Sequence, residues 1–261
     1  MKLLFRKPIV IFFSLYFFAI LCWDVLLFLN PDKTTLSNYL FNAGYGLIYF
    51  FTGILGIVYA KQLGFKSIFG KAFIFLGGGL ISYAIAQFIW VFYNIFLVTE
   101  VPFTSIADVF FLLFFPLVFF AFILFFNIFK QSITKRIIVQ FMFLVPIVFI
   151  FCITILFKFE IFSNLSFWQN VLNNIYPIGD TLLLCFILMI LRISGGYFRS
   201  TMSLFALAGL VQLVSDFIFT YRDINKIYWN GDIADLSFAV TSFLFLLSFV
   251  YFMEKMVDIK S

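Results

Sequence analysis

The sequence contains no histidine, which removes the commonest metal ligand and the one side chain that ordinarily changes charge near neutral pH. Haem held by histidine, zinc hydrolysis of the histidine type and Ser/His/Asp triads are excluded with it. Cysteine is scarce. Cys22, Cys152 and Cys185 are scattered through apolar runs without paired spacing, so they indicate no disulfide framework or thiolate metal site and read as small hydrophobes. Charge is sparse too: 11% of the 261 residues are charged, against 64% hydrophobic residues and 45 phenylalanines. A water-soluble domain is ~45–50% apolar, so the chain is read as a polytopic membrane protein, with the lipid bilayer as its first partner. The net charge of +5 does not point to nucleic acid, because the basic residues lie at the ends of apolar runs, where they act as topology signals.

Long apolar runs are abundant. They fall at about Pro8 to Leu29, Asn38 to Ala60, Ala72 to Phe96, Phe103 to Phe129, Ile137 to Phe159, Asn170 to Ile193, Ser200 to Tyr221 and Ile233 to Met256. Each suits a span of roughly 20 residues, so the expected fold is all-α with about eight transmembrane helices in one domain over residues 1–261. The first run is longer than the core of a cleavable signal peptide and no small-residue cleavage site follows, so it is kept as a mature helix.

Alternating the connections from a cytoplasmic N-terminus puts thirteen basic residues inside: Lys2, Arg6, Lys7, Lys61, Lys66, Lys71, Lys130, Lys135, Arg136, Arg192, Arg199, Lys255 and Lys260. Lys33, Lys158, Arg222 and Lys226 fall outside. This bias predicts a multi-pass protein of the cell membrane with both termini cytoplasmic. Trp23, Trp90, Trp168 and Trp229 then sit at the outer interface, where indoles are favoured. Loops are short and leave no room for a soluble domain. Asn164-Leu-Ser166 matches a glycosylation sequon in an outer loop, a triplet frequent by chance.

Within the sixth run lies Asn173-Asn-Ile-Tyr-Pro-Ile-Gly-Asp180. An ionised aspartate at a helix centre costs ~3 kcal/mol even on insertion-based scales, so such an acid faces protein, a partner or water. Asn173, Tyr176, Pro177 and Asp180 form one stripe at helical spacing, and Pro177 cannot donate to the carbonyl of Asn173. Two readings stay open: a proline kink with its acid bonded to a neighbouring helix, or a ligand or ion site.

The first four spans also match the last four in order, at an offset near 130 residues. Cys22 meets Cys152, Asn42-Ala-Gly-Tyr45 meets Asn173-Asn-Ile-Tyr176, Ala86-Gln-Phe-Ile-Trp90 meets Ser215-Asp-Phe-Ile-Phe219, and Ser105-Ile-Ala-Asp108 meets Asp232-Ile-Ala-Asp235. Four spans per unit predict a parallel repeat, halves 8–130 and 137–256, with binding sites between the halves. Coincidence within a narrow set of residue types is the competing explanation.

The outer halves of the spans carry every intramembrane acid. Asp24, Asn42, Gln87, Trp90, Asp108, Asn173, Tyr176, Asp180, Gln212, Asp216 and Asp235 are therefore the candidate ligand-binding residues of one outward pocket. At 1.5 Å per residue Asp24, Asp108 and Asp216 lie roughly 8 Å below the outer ends and Asp180 roughly 16 Å. Crowded carboxylates need protons or a cation, and oxygen-only ligands suit a hard divalent cation such as Ca²⁺, Mg²⁺ or Mn²⁺. For Asp108 and Asp235 a duller role exists, as favourable charges in the first turns of their helices.

Pro102-Phe-Thr-Ser-Ile-Ala-Asp108 through Pro116, Tyr176-Pro-Ile-Gly-Asp180, Ser215-Asp216 and Tyr228-Trp-Asn-Gly231 to Asp235 resemble the multi-span N-terminal module of bacterial GGDEF and EAL signalling proteins. That resemblance covers about residues 102–250 and implies a sensory module feeding a cytoplasmic output. Here the chain stops a few residues after its last span, so a stand-alone module with a separate cytoplasmic or membrane signalling partner is expected. Presenilin-type proteases resemble the chain less, since Pro177 replaces the first glycine of their Gly-x-Gly-Asp. Lysoplasmalogen hydrolases share a late Ser-Asp, as at Ser215-Asp216. Microbial rhodopsins, and with them retinal, are disfavoured because the final span lacks a central lysine. The expected function is thus a sensory module binding a small ligand or cation. The alternatives are an intramembrane hydrolase of lipid or peptide using Asp180 with Asp216, then a small-solute or cation transporter, which the acid-free inner halves disfavour.

Overall fold

The computed structural model describes residues 6–97, 105–158 and 167–258. Eight helices account for nearly all of them: α1 Arg6–Leu29, α2 Leu36–Leu63, α3 Ile68–Phe96, α4 Ile106–Phe129, α5 Lys135–Lys158, α6 Phe167–Ile193, α7 Gly196–Ile224 and α8 Ile233–Asp258. All eight are long and apolar enough to cross a membrane, and no strand occurs among the described residues. The protein is an all-α polytopic membrane protein.

Polar residues fix where several helices start. Ser67 accepts from the Gly70 amide and opens α3 ahead of Ala72. At α4 a reciprocal capping box forms: Ser105 Oγ accepts from the Ala107 amide, and Asp108 Oδ2 accepts from the Ser105 amide at 2.7 Å. Asp232 opens α8 in the same manner, accepting from the Ala234 amide at 2.8 Å. The end of α1 is closed by Lys33, whose Nζ donates to the carbonyls of Leu27 and Phe28 while lying over the Trp229 ring.

In lipid, helices gain little from apolar burial against one another and associate through close packing. The α2/α3 seam shows this best. A Cβ on Gly53 would stand 2.7 Å from the Gly77 carbonyl oxygen, and one on Gly77 would stand 2.6 Å from that of Gly53. Only hydrogen fits there. Helices α2, α3 and α8 form the centre, whereas α1 and α5 are peripheral and turn most of their side chains outward, Phe12, Phe18, Phe143 and Phe151 among them.

Neighbours follow a regular scheme. Within residues 6–129, α1 packs on α2, α2 on α3 and α3 on α4; within residues 135–258, α5 packs on α6, α6 on α7 and α7 on α8. Between these sets α2 packs on α8 and α4 on α6, with a further contact of α1 on α8. At the end of the bundle holding the start of α3 and the end of α8, Phe73, Phe125, Phe205, Phe249 and Phe252 pack ring against ring and are fully buried.

Candidate functional site

At the opposite end, where α4 and α8 begin and α3 and α7 finish, the helices enclose a cavity of about 60 Å³, several times the ~10–15 Å³ that one water needs. Its wall is Asn42 and Tyr45 from α2; Tyr83, Gln87 and Trp90 from α3; Asp108, Phe111, Phe114 and Phe115 from α4; and Tyr176 from α6. Gln212, Asp216, Phe219 and Thr220 come from α7, Tyr228 from the connection that follows, and Asp235 and Phe238 from α8. Ten of these residues are aromatic, three are aspartates and none is Lys or Arg.

The aspartates are bonded unequally. Asp235 is buried and nearly saturated: Oδ1 accepts from Tyr45 Oη at 3.0 Å, and Oδ2 accepts from Tyr228 Oη at 3.0 Å and the Gly231 amide at 2.7 Å. Gly231, at φ +90°, lets the backbone turn so that its amide reaches the carboxylate. Asp108 accepts from Tyr176 Oη at 2.7 Å besides the Ser105 amide. Asp216 accepts from Gln212 Nε2 at 2.8 Å, and Gln212 Oε1 in turn accepts from Tyr49 Oη. Asp180 is 1% exposed and lies against Asp216, its hydrogen-bonding neighbour, and neither of its carboxyl oxygens receives an N–H or hydroxyl donor among the described residues.

The connection from α7 to α8 roofs the cavity. Asn230 Oδ1 accepts from Trp90 Nε1 at 2.8 Å and Asn42 Nδ2 at 3.2 Å, and its carbonyl accepts from Asn38 Nδ2 at 3.0 Å. Arg222 donates to Asp232 and to the Ile227 carbonyl, fixing the same segment from α7. Burial raises the Asp232 carboxyl above its ordinary range, and the adjacent Arg222 guanidinium opposes that rise. Burial, with Asp235 and Asp232 nearby, pushes the Tyr228 hydroxyl well above its ordinary range, so it remains a donor.

Of the residues singled out from sequence, Asn42, Gln87, Trp90, Asp108, Tyr176, Gln212, Asp216 and Asp235 line this one cavity. Asp180 stands just outside its wall against Asp216. Asp24 does not join them: it sits on peripheral α1 near Asp232 and outside the lining, because depth along a helix does not fix the direction a residue faces. The backbone of Asn173 belongs to α6, but its side chain lies outside the described residues, as do Pro102 to Thr104 and the Asn164 sequon. Trp90 turns inward onto Asn230. Helix α6 continues through Pro177, with Thr181 Oγ1 donating to the Pro177 carbonyl. Asp108 both caps α4 and lines the cavity.

Tyr83, Tyr228, Asn230 and the phenylalanine wall are not among the candidate binding residues of the sequence analysis, although Tyr228 and Asn230 lie in the Tyr228 to Asp235 stretch, and Phe111, Phe114 and Phe115 in the Pro102 to Pro116 stretch, that carry the resemblance. Tyr45 carried a signal, because it was the partner of Tyr176 in the internal match. Among the described residues no group of three or more Cys, Asp or Glu side chains converges as a metal-ligand set. Comparison with protein-family models, curated proteins and solved structures returns no match.

Proposed function

We propose that the protein is a membrane-embedded binding module whose cavity takes a small organic cation and whose occupancy is read by a separate partner. The observation that carries this reading is the wall: ten aromatic residues and three aspartates, without Lys or Arg. Aromatic faces attract cations electrostatically, by about 2 kcal/mol or more when desolvated, and buried carboxylates need compensating positive charge. Aromatic walls favour an organic cation over a hard metal ion, which takes oxygen ligands.

The thirteen-to-four distribution of basic residues supports cytoplasmic termini in the cell membrane and a cavity facing outward. The likeness to the GGDEF and EAL membrane module supports a sensory role with a cytoplasmic or membrane signalling partner. The buried phenylalanine cluster below the cavity disfavours a transport path. Hydrolysis by an aspartate pair is less supported, because Asp216 reaches the cavity and Asp180 does not. We further propose that residues 8–130 and 137–256 are parallel repeats. In support, the α2/α8 and α4/α6 packings exchange under that correspondence, as do the Tyr45–Asp235 and Tyr176–Asp108 bonds.

The test is thermal. Small ammonium ions should raise the melting midpoint of the purified protein with the logarithm of concentration above their dissociation constant, and Asp216→Asn should remove the rise. If no ammonium ion of any substitution pattern shifts the midpoint, the cavity is structural and the reading is wrong.

A further inference from the structure

The inventory of hydrogen bonds around the cavity specifies the ligand more narrowly. A carboxylate offers about four lone-pair sites. Asp235 fills three of its own with Tyr45, Tyr228 and the Gly231 amide. Asp108 is engaged at both oxygens by Tyr176 and the Ser105 amide. Asp216 has a single donor, Gln212. Asp180, at 1% exposure, receives no N–H or hydroxyl donor at either oxygen among the described residues, and its carboxyl group lies against that of Asp216, its hydrogen-bonding neighbour. Among the carboxylates, unmet acceptor capacity is therefore concentrated at one place, the cavity wall formed by Asp216 with Asp180 directly behind it; Asn42 Oδ1, on another part of the wall, is a further acceptor without a donor. A buried acceptor left without a donor costs about 1–3 kcal/mol, more when charged.

Resting on the proposed organic-cation reading, we infer that the ligand is a cation bearing N–H donors, a primary ammonium, with its head on Asp216 toward Asp180 and its apolar body against the aromatic wall. An ammonium head brings three donors in rotatable positions, enough for the free side of Asp216, the member of the pair that reaches the cavity. A quaternary ammonium satisfies the aromatic faces equally well. It brings no N–H, so it leaves the free side of Asp216 unfilled. The aromatic cage accepts either head group, and the Asp216 carboxylate decides between them. Gln212 takes part as a positioning residue: its amide donates to Asp216 while its carbonyl is held by Tyr49, which fixes the carboxylate toward the cavity.

Calorimetric titration of the purified full-length protein with isopropylammonium and with tetramethylammonium, two cations of similar size, separates the possibilities. The primary ammonium is expected to bind at least tenfold more tightly, and Asp180→Asn should shrink that preference while the protein still melts cooperatively. The ranking in the unsubstituted protein is itself decisive, so the inference does not depend on how the variants fold. Equal or tighter binding of tetramethylammonium overturns the donor requirement and leaves the organic-cation reading standing. Binding of neither overturns both.

Discussion

Two tyrosine–aspartate pairs line the same cavity, Tyr45 with Asp235 and Tyr176 with Asp108, and they differ in what surrounds them. In the first pair both residues are buried, at 0% and 2% exposure, and two further donors hold the carboxylate. In the second pair both residues are partly exposed, and the carboxylate is shared with the cap of α4. A phenol bonded to an acid at the start of a helix thus serves two ends. Around Asp235 it locks α8 and the roof to α2, and around Asp108 it leaves a polar surface open to the cavity. Burial, rather than residue type, separates the structural pair from the accessible one.

The largest expected effect contrasts two seams beside these pairs, one at the helix that carries Tyr45 and one at the helix that carries Tyr176. Gly77→Ala would push a methyl against the Gly53 carbonyl and should destabilise by ~1–3 kcal/mol. Gly209→Ala, whose methyl would first meet the Ile187 side chain at 3.3 Å, should be near neutral because alanine favours the helix by ~0.5–1 kcal/mol. Unfolding titrations in mixed micelles measure both, and equal losses would erase the distinction between the α2/α3 and α6/α7 seams.

The pairs themselves come next. Tyr45→Phe strands a buried carboxylate oxygen and should cost ~1–2 kcal/mol of stability, within the range for intramembrane hydrogen bonds. Tyr176→Phe should cost less, since Asp108 keeps the Ser105 amide and meets the cavity. Melting midpoints of the two variants should follow that order, and the reverse order would contradict the assignment of lock and open wall.

Loss of the roof should be smaller and local. Asn230→Ala removes the acceptor of Trp90 Nε1 and Asn42 Nδ2 but keeps the carbonyl that binds Asn38. A cost of ~1 kcal/mol is expected, with a changed Trp90 environment visible in tryptophan fluorescence. An unaltered spectrum would mean that the Asn230 side chain does not hold Trp90 against the roof.

The smallest effect is in pH. Asp32, in the connection after α1, accepts from the Thr34 amide and hydroxyl, which lower its carboxyl below the ordinary range; its contribution is present above that range and fades as pH falls through the lowered value. Asp232 is raised by burial, so its contribution is present at low pH and is lost as pH rises through the raised value, with Arg222 limiting the loss. Carboxyl carbon NMR titrations should place Asp32 below and Asp232 above an ordinary aspartate. The same sign for both would break the contrast between the two connections.

Much of the fold was legible, since spans announce themselves by run length and the acids by their cost in lipid. Ser105-Ile-Ala-Asp108 and Asp232-Ile-Ala-Asp235 marked the two helix starts that carry the tyrosine-bonded acids, because the cap chemistry is local and short. Asp24 was misplaced since its depth resembled that of Asp216, while the facing of α1 depends on neighbours that no periodicity in so apolar a helix reveals. Among 45 phenylalanines nothing in sequence distinguishes Phe114 and Phe115 at the cavity from Phe143 and Phe151 on the outer face. Asn230 stands in Tyr228-Trp-Asn-Gly231, but its role was not legible because its partners, Asn38, Asn42 and Trp90, are remote in sequence and meet only once α2, α3 and the roof are assembled.

The central claim, that the cavity between the two pairs holds an organic cation at Asp216, is most directly tested by fluorine NMR of a trifluoromethyl-tagged butylammonium added to the purified protein. The account predicts a saturable bound resonance, shifted upfield by the aromatic wall, displaced by untagged butylammonium and missing with Asp216→Asn. An identical bound resonance in that variant, or a signal indistinguishable from detergent alone, would contradict it.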